Sequence, residues 1–192
     1  MTDDFRVRLN KIADRLSSDD LLSNKGLGNE IGFWIFDYPP EREMEVRTFI
    51  DSVLLPGMSK RQPAVRVAVA NLFALIIEML EDRNLYKRVI DIQAKKGDAE
   101  ALEALRPILK EDKFAAHIAS RIDFDQMDVL LLTGVGAAYP MLRSHTLLSA
   151  LQATMKDKPL VMFYPGRYDG FSLRLFNKLD DDNYYRAFRL VE

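Results

Sequence analysis

Residues 128–136 read DVLLLTGVG, an apolar run that leads directly into two glycines. The apolar residues of this run predict a β-strand, and the glycines allow a tight turn where that strand ends. Apolar residues at helical spacing then predict a helix over residues 143–155. Strand, glycine turn and helix in this order predict an α/β protein.

Further strands and helices extend this pattern in both directions along the chain. β-Branched and aromatic runs predict strands over residues 31–38, 64–70, 159–164 and 185–191. Helical spacing predicts helices over residues 3–17 and 72–80. Between them it predicts a helix that has Pro40 in its first turn, carries its apolar side over residues 44–54 and ends at Pro56-Gly57. A charged helical region then reaches about Arg121, with breaks near Gly97 and Pro107, and Pro165-Gly166 and Asp169-Gly170 predict turns.

Strands separated by helices of this length require parallel crossover connections. We therefore expect a mostly parallel sheet of about five strands with helices on both faces, Rossmann-like or P-loop-like without a Walker A motif. No linker or internal repeat divides the sequence, so residues 1–192 are expected to form a single α/β domain.

Composition excludes several classes of function. The chain has no cysteine, which excludes disulfides, thiolate metal sites and cysteine nucleophiles. Its net charge of -2 argues against direct DNA binding and against attraction to anionic lipid. The charged start and the short apolar runs predict neither a signal peptide nor a membrane span, so a cytoplasmic protein is expected.

The glycine turn resembles a phosphate-binding loop only in outline. A strand, a glycine turn and a helix can place backbone amides against a phosphate. The third glycine of a dinucleotide motif would fall at Tyr139, however, and no Gly-Lys-Ser/Thr follows. The spacing favours a structural turn, and it leaves open a nucleotide-binding or hydrolytic protein that uses Gly134 and Gly136 with Arg143 and His145.

Metal and nucleophile chemistry have little support in the sequence. Ser144 and His145 are adjacent, so on a helix their side chains point about 100° apart and cannot form a dyad. His117 and His145 are the two histidines, and without cysteine a metal site would need carboxylates to complete it. Acidic residues cluster at 123–128 and 180–183, but neither segment has the calcium-loop pattern. No metal or cofactor is predicted.

Aromatic residues interleaved with arginine are concentrated between residues 163 and 188. This composition is typical of protein–protein contact sites and also permits stacking on single-stranded nucleic acid. Phe163 and Phe176 are expected in the core. We predict that alanine at Tyr168, Arg174 or Arg186 weakens partner binding and leaves the fold intact. The candidate partner-binding residues are Arg143, His145, Tyr168, Arg174, Tyr185 and Arg186.

Several segments, in this order along the chain, resemble a known bacterial family. They are Gly28-Asn29-Glu30-Ile31, Phe36-Asp37-Tyr38-Pro39, residues 43–47, Leu132-Thr133-Gly134-Val135-Gly136, Tyr139-Pro140, Arg143-Ser144-His145-Thr146, Phe163-Tyr164-Pro165-Gly166, Leu173-Arg174-Leu175-Phe176 and Tyr184-Tyr185-Arg186-Ala187-Phe188. Together they resemble the BrxB family of BREX (bacteriophage exclusion) systems.

The resemblance implies membership of a multi-protein antiviral defence assembly. Its other components include a DNA methyltransferase, a large AAA-type ATPase and PglZ, a phosphatase-superfamily protein. The family has no established catalytic residues. The resemblance therefore favours a non-enzymatic protein-interaction component, with PglZ as the first partner to consider and the ATPase or the methyltransferase as the others.

Overall fold

Five parallel strands form the centre of the protein in the computed structural model, which describes residues 4–23, 33–155, 158–181 and 187–192. The strands run in the spatial order β2-β3-β4-β1-β7. The last residues of β4 pair antiparallel with the short strand β5, which in turn pairs antiparallel with β6. Their bounds are β1 Phe33–Tyr38, β2 Val67–Asn71, β3 Val129–Thr133, β4 Leu160–Tyr168, β5 Leu173–Leu175, β6 Leu179–Asp181 and β7 Ala187–Arg189.

Helices cover both faces of the sheet. One face carries α1 (Asp4–Leu16), α2 (Asp19–Leu22), α3 (Glu43–Phe49) and α4 (Leu55–Ser59). The other carries α5 (Leu72–Asp82), α6 (Tyr86–Lys96), α7 (Asp98–Leu105), α8 (Glu111–Arg121), α9 (Val135–Ala138) and α10 (Ser144–Met155). Within the described ranges, no helix has the length and apolarity needed to cross a bilayer.

Strand β3 shows why the sequence requires two helical layers. Val129 and Leu131 belong to the apolar cluster of the α1–α4 face, and Leu130 and Leu132 to that of the α5–α10 face. All four side chains are buried, as expected for a central parallel strand covered on both sides. The predicted fold class, a mostly parallel α/β sheet with helices on both faces, is confirmed.

Local sequence patterns predicted the positions of most helices correctly. Apolar residues at spacings of three and four form the buried face of α1, as predicted over residues 3–17. Asn71 caps α5, because its side-chain oxygen accepts a hydrogen bond from the Ala74 amide at 3.1 Å. The predicted breaks near Gly97 and Pro107 separate α6, α7 and α8.

The predicted helix end at Pro56-Gly57 is wrong. After α3 the chain continues as a π-helical segment, Ile50–Leu54, and then as α4, with Pro56 in its first turn. Pro56 donates no backbone hydrogen bond, but the buried side chains of Leu54 and Met58 pack this helical run on both sides of it. A short 3₁₀ helix, Pro40–Arg42, precedes α3, and another, Phe124–Gln126, precedes β3.

The C-terminal region was only partly predicted. Strand β4 continues through Pro165-Gly166 instead of turning there, and the strands β5 and β6 were missed. Gly166 makes this extension possible, because a Cβ at that position would lie 2.1 Å from the carbonyl oxygen of Arg174 on β5. The strand predicted over residues 185–191 is β7, Ala187–Arg189. Residues 31–32 and 185–186 of the predicted strands lie outside the described residues.

Candidate functional site

The glycine turn after β3 is packed by neighbouring side chains. Gly134 is left-handed, with φ 70°, and a Cβ there would lie 2.6 Å from Oδ1 of Asn71. A Cβ on Gly136 would lie 2.8 Å from the Phe176 ring and 2.9 Å from Pro165. Both glycines therefore permit close packing at the end of β3, which fits the interpretation of this segment as a structural turn.

A cavity of about 400 Å³ opens next to this turn. It lies past the end of β3 and beside Tyr164 of β4, between the start of α10 and the β5–β6 hairpin. Ligand sites of parallel α/β sheets are expected at this carboxyl edge. The lining residues are Val135, Tyr139, Leu142, Arg143, Ser144, His145, Tyr164, Leu175, Lys178, Leu179 and Asp180.

The mouth of the cavity carries excess positive charge. Arg143 and Lys178 are exposed, and neither side chain makes an ion pair within the described part of the chain. The acidic residue of the lining, Asp180, is already paired with Arg174 at 2.9 Å. The amino-terminal end of α10 adds the positive end of a helix dipole. This edge is therefore locally basic in a chain whose net charge is -2.

Apolar side chains line the same edge. Tyr139 is 44% exposed and Leu179 is 39% exposed. The Tyr139 ring meets the Phe176 ring edge-on, with their centroids 6.4 Å apart. Phe176 and Asn177 hold positive φ angles of 54° and 58° in the turn between β5 and β6, an arrangement that non-glycine residues rarely adopt. The turn thereby packs the Phe176 ring over Gly136, beside the cavity.

The structure brings two of the predicted partner-binding residues to this cavity. Arg143 is exposed at its mouth, and His145 is half-buried at the start of α10. Arg174 lies on the exposed side of β5. Tyr185 and Arg186 lie outside the described residues.

The assignment of Tyr168 to a partner-binding surface is wrong, because this side chain is 1% exposed. Its hydroxyl donates to the carbonyl oxygen of Ala187 at 2.7 Å, and its ring lies under the Arg189 guanidinium. The aromatic composition of the sequence could not distinguish buried rings from exposed ones, because composition does not reveal which rings face the sheet. Phe163 is buried as expected, and Phe176 is half-buried.

A buried carboxylate that the sequence analysis missed holds this part of the fold together. Asp37, on β1, accepts hydrogen bonds from Arg8 and Arg189, each at 2.9 Å, and from the Tyr168 amide at 3.0 Å. Arg189 also donates to the carbonyl oxygen of Tyr168. The network joins α1, β1, β4 and β7. In the sequence, the signal for this network was one acidic residue within an otherwise apolar strand. A carboxylate that is buried in such a strand requires hydrogen-bonding or charged partners.

The acidic segment before β3 has a structural role. The Asp128 carboxylate accepts hydrogen bonds from the backbone and the guanidinium of Arg66, both at 2.8 Å. These hydrogen bonds lower the pKa of Asp128. Asp123 accepts from the Asp125 amide at the start of a 3₁₀ helix. Both carboxylates thereby fix the approach of the chain to β3.

Asp169 shapes the turn between β4 and β5. Its carboxylate accepts hydrogen bonds from the amides of Phe171 and Ser172 at 2.9 and 2.8 Å. The Ser172 amide, followed by that of Phe171, lowers the pKa of Asp169 by stabilising the charged form. This side chain therefore closes the loop of the predicted Asp169-Gly170 turn.

Comparison with known proteins assigns the family. The family model of BREX protein BrxB matches residues 68–190, which include α5–α10 and the cavity. The chain is 44% identical over 187 residues to BREX protein BrxB of Escherichia coli O9:H4 (strain HS), covering 97% of this chain and 92% of the relative. It is 40% identical over 189 residues to BREX protein BrxB of Bacillus cereus (strain H3081.97), covering 96% of each. No solved structure gives a significant match. The chain therefore belongs to the BrxB family of BREX proteins.

Proposed function

We propose that this chain is a non-enzymatic docking component of a BREX anti-phage complex and that PglZ is the protein it binds. Membership of the BrxB family supports a place among the BREX components. The surface at the carboxyl edge of the sheet supports the docking role. We call Tyr139, Arg143, Lys178 and Leu179 the docking face.

The docking face combines the two features that protein contact sites need. Tyr139 and Leu179 offer apolar area that is already exposed. Arg143 and Lys178 offer charges that are not used within the described part of the chain. Tyrosine and arginine are among the side chains that contribute most to binding energy at protein interfaces. This juxtaposition of exposed apolar area and free cations is the observation that carries the proposal.

The charge of the docking face indicates the chemistry of the partner surface. Arginine pairs with carboxylates through two parallel hydrogen bonds, and complementary charge steers association. We therefore expect the docking face to bind an acidic segment of PglZ that also presents an apolar side chain to the cavity.

Reversing the charge of the docking face is expected to abolish retention of PglZ. The double variant Arg143→Glu and Lys178→Glu places two carboxylates against an acidic partner. We expect affinity to fall at least about 100-fold, since loss of important interface contacts typically costs at least about 2 kcal/mol and like charges repel. Co-purification from cells that express the full set of BREX proteins, followed by titration with purified PglZ, measures the loss.

A matched control separates docking from non-specific charge effects. Lys87→Glu with Lys95→Glu makes the same change in net charge on the exposed surface of α6. It should retain PglZ, and both double variants should melt within about 2 °C of the unmodified protein, because exposed substitutions rarely change stability much. Equal retention of PglZ by the docking-face variant and the control would refute the proposed surface.

The cavity itself favours a second function, the binding of a small anionic ligand such as a nucleotide. Its volume lies in the range of small-molecule sites, and Arg143, Ser144 and His145 lie together at the start of α10. Calorimetric titration with ATP and GTP decides between the two functions. Docking alone predicts no heat of binding at millimolar nucleotide. Heat that disappears in Arg143→Ala and in His145→Ala would favour the ligand site instead.

A further inference from the structure

Three side chains outside the docking face converge where α5 packs against α8. Glu78 and Asp82 are four residues apart on α5 and therefore lie on one side of that helix. His117 is contributed by α8. One carboxylate oxygen from each acid and one imidazole nitrogen lie within 4.8 Å of one another. A single ion could contact all three ligand atoms.

One nitrogen of the His117 imidazole makes no hydrogen bond within the described residues. This atom, Nε2, is buried. The ring packs against Phe114, with the centroids 6.4 Å apart. A buried ring nitrogen without a partner is unusual, because such a group loses its hydration and gains nothing in return. Coordination of a cation by the imidazole would give this side chain the polar partner that the fold does not provide.

The two carboxylates already attract a cation of the chain itself. The Arg121 guanidinium, at the end of α8, forms ion pairs with both Glu78 and Asp82. Arg121 is 40% exposed, and the two acids are exposed to a similar degree. Ion pairs at this exposure typically contribute at most about 1 kcal/mol. A metal ion that binds three ligands can therefore displace Arg121, which would turn into solvent with its charge unchanged.

We propose that Glu78, Asp82 and His117 form a site for a divalent transition-metal ion, with Arg121 as the cation that the metal displaces. Two carboxylate oxygens and one imidazole nitrogen suit Zn²⁺, which accepts such donors in tetrahedral geometry and completes its shell with water. The bound ion would join the end of α5 to α8. The site uses none of the docking face, so it stands independently of the proposed docking function.

Zinc binding to the full-length, tag-free protein tests the proposal. We expect calorimetric titration with ZnCl₂ to give one bound ion per chain and Co²⁺ to give the visible absorption of a tetrahedral complex. His117→Ala and Glu78→Gln should each weaken Zn²⁺ binding at least roughly 10-fold, the smallest effect typical even of residues that only support metal ligands. Arg121→Gln should tighten binding, because it removes the competing cation.

The chain offers a matched control in its other histidine. His145→Ala should bind Zn²⁺ as the unmodified protein does, and melting curves of the metal-free variants establish that each is folded. Zinc binding that is unaffected by His117→Ala would overturn the proposal. The absence of Zn²⁺ binding in the unmodified protein would also overturn the proposal. This holds even if the Arg121→Gln variant bound Zn²⁺, because Arg121 would then occupy the site permanently in the natural chain.

Discussion

Replacing Asp37 with alanine is expected to lower the free energy of unfolding by about 3 kcal/mol. The change leaves the guanidinium groups of Arg8 and Arg189 and the amide of Tyr168 without their common acceptor. Breaking a buried ion pair by removing one partner typically costs about 3–5 kcal/mol. We expect the lower end, because Arg8 and Arg189 keep part of their surface in contact with solvent.

Thermal and denaturant unfolding measure this effect. For a chain of this size, a loss of 3 kcal/mol corresponds to a fall in Tm of roughly 6–12 °C. Asp20→Ala is the matched control, since it removes an aspartate that is 77% exposed and lies 3.7 Å from Arg15. Its effect should stay below about 1 kcal/mol. Similar melting curves for the two variants would contradict a stabilising role of Asp37.

Replacing Tyr168 with alanine is expected to cost about 3–5 kcal/mol, the range typical of large aromatic side chains removed from a core. The ring is buried, and its hydroxyl donates to the Ala187 carbonyl oxygen. The substitution therefore removes a packed ring and leaves a carbonyl group of β7 without its donor. This expectation replaces the one drawn from the sequence, in which Tyr168→Ala spared the fold and weakened partner binding.

Two companion variants separate the contributions of Tyr168. Tyr168→Phe keeps the ring and should cost only about 1–3 kcal/mol, the effect of an unpaired buried polar group. Arg174→Ala changes an exposed side chain and should cost less than about 1 kcal/mol. If Tyr168→Ala reduced PglZ binding without lowering Tm, the buried assignment of this side chain would be wrong.

Asp37 and Tyr168 should also act together. The Tyr168 amide donates to Asp37, and Arg189 contacts both residues. Residues of one hydrogen-bond network typically show coupling of about 0.5–3 kcal/mol. The double variant should therefore lose less stability than the two single variants combined.

We expect this network to govern stability and the proposed docking face to govern binding at the carboxyl edge of the sheet. The network ties α1, β1, β4 and β7 together through a buried carboxylate and two half-buried guanidinium groups that satisfy one another. The docking face presents charges and apolar area that the described residues leave exposed. Substitutions in the Asp37 network should lower Tm. Substitutions in the docking face should weaken partner binding and leave Tm unchanged.

Hydrophobic patterning determined the main features of the fold from the sequence alone. The continuous apolar run of residues 129–132 required a strand covered on both faces, and helical spacing placed α1, α5 and α10 within a few residues. These signals are local, because each depends on which faces of a short segment must leave water. The same locality explains why β5 and β6 were missed, since three-residue strands carry almost no periodicity.

Tertiary structure alone decided which polar and aromatic residues work together. Arg143 and Lys178 line one cavity because the β5–β6 hairpin and the start of α10 lie on its two sides, and their separation in sequence gives no sign of it. Glu78, Asp82 and His117 converge only when α8 packs on α5. The sequence determined that DVLLLTGVG forms a buried strand and a glycine turn, because apolar burial and backbone freedom are properties of the residues themselves. Contacts between distant side chains depend on how the layers pack, so only the folded chain decides them.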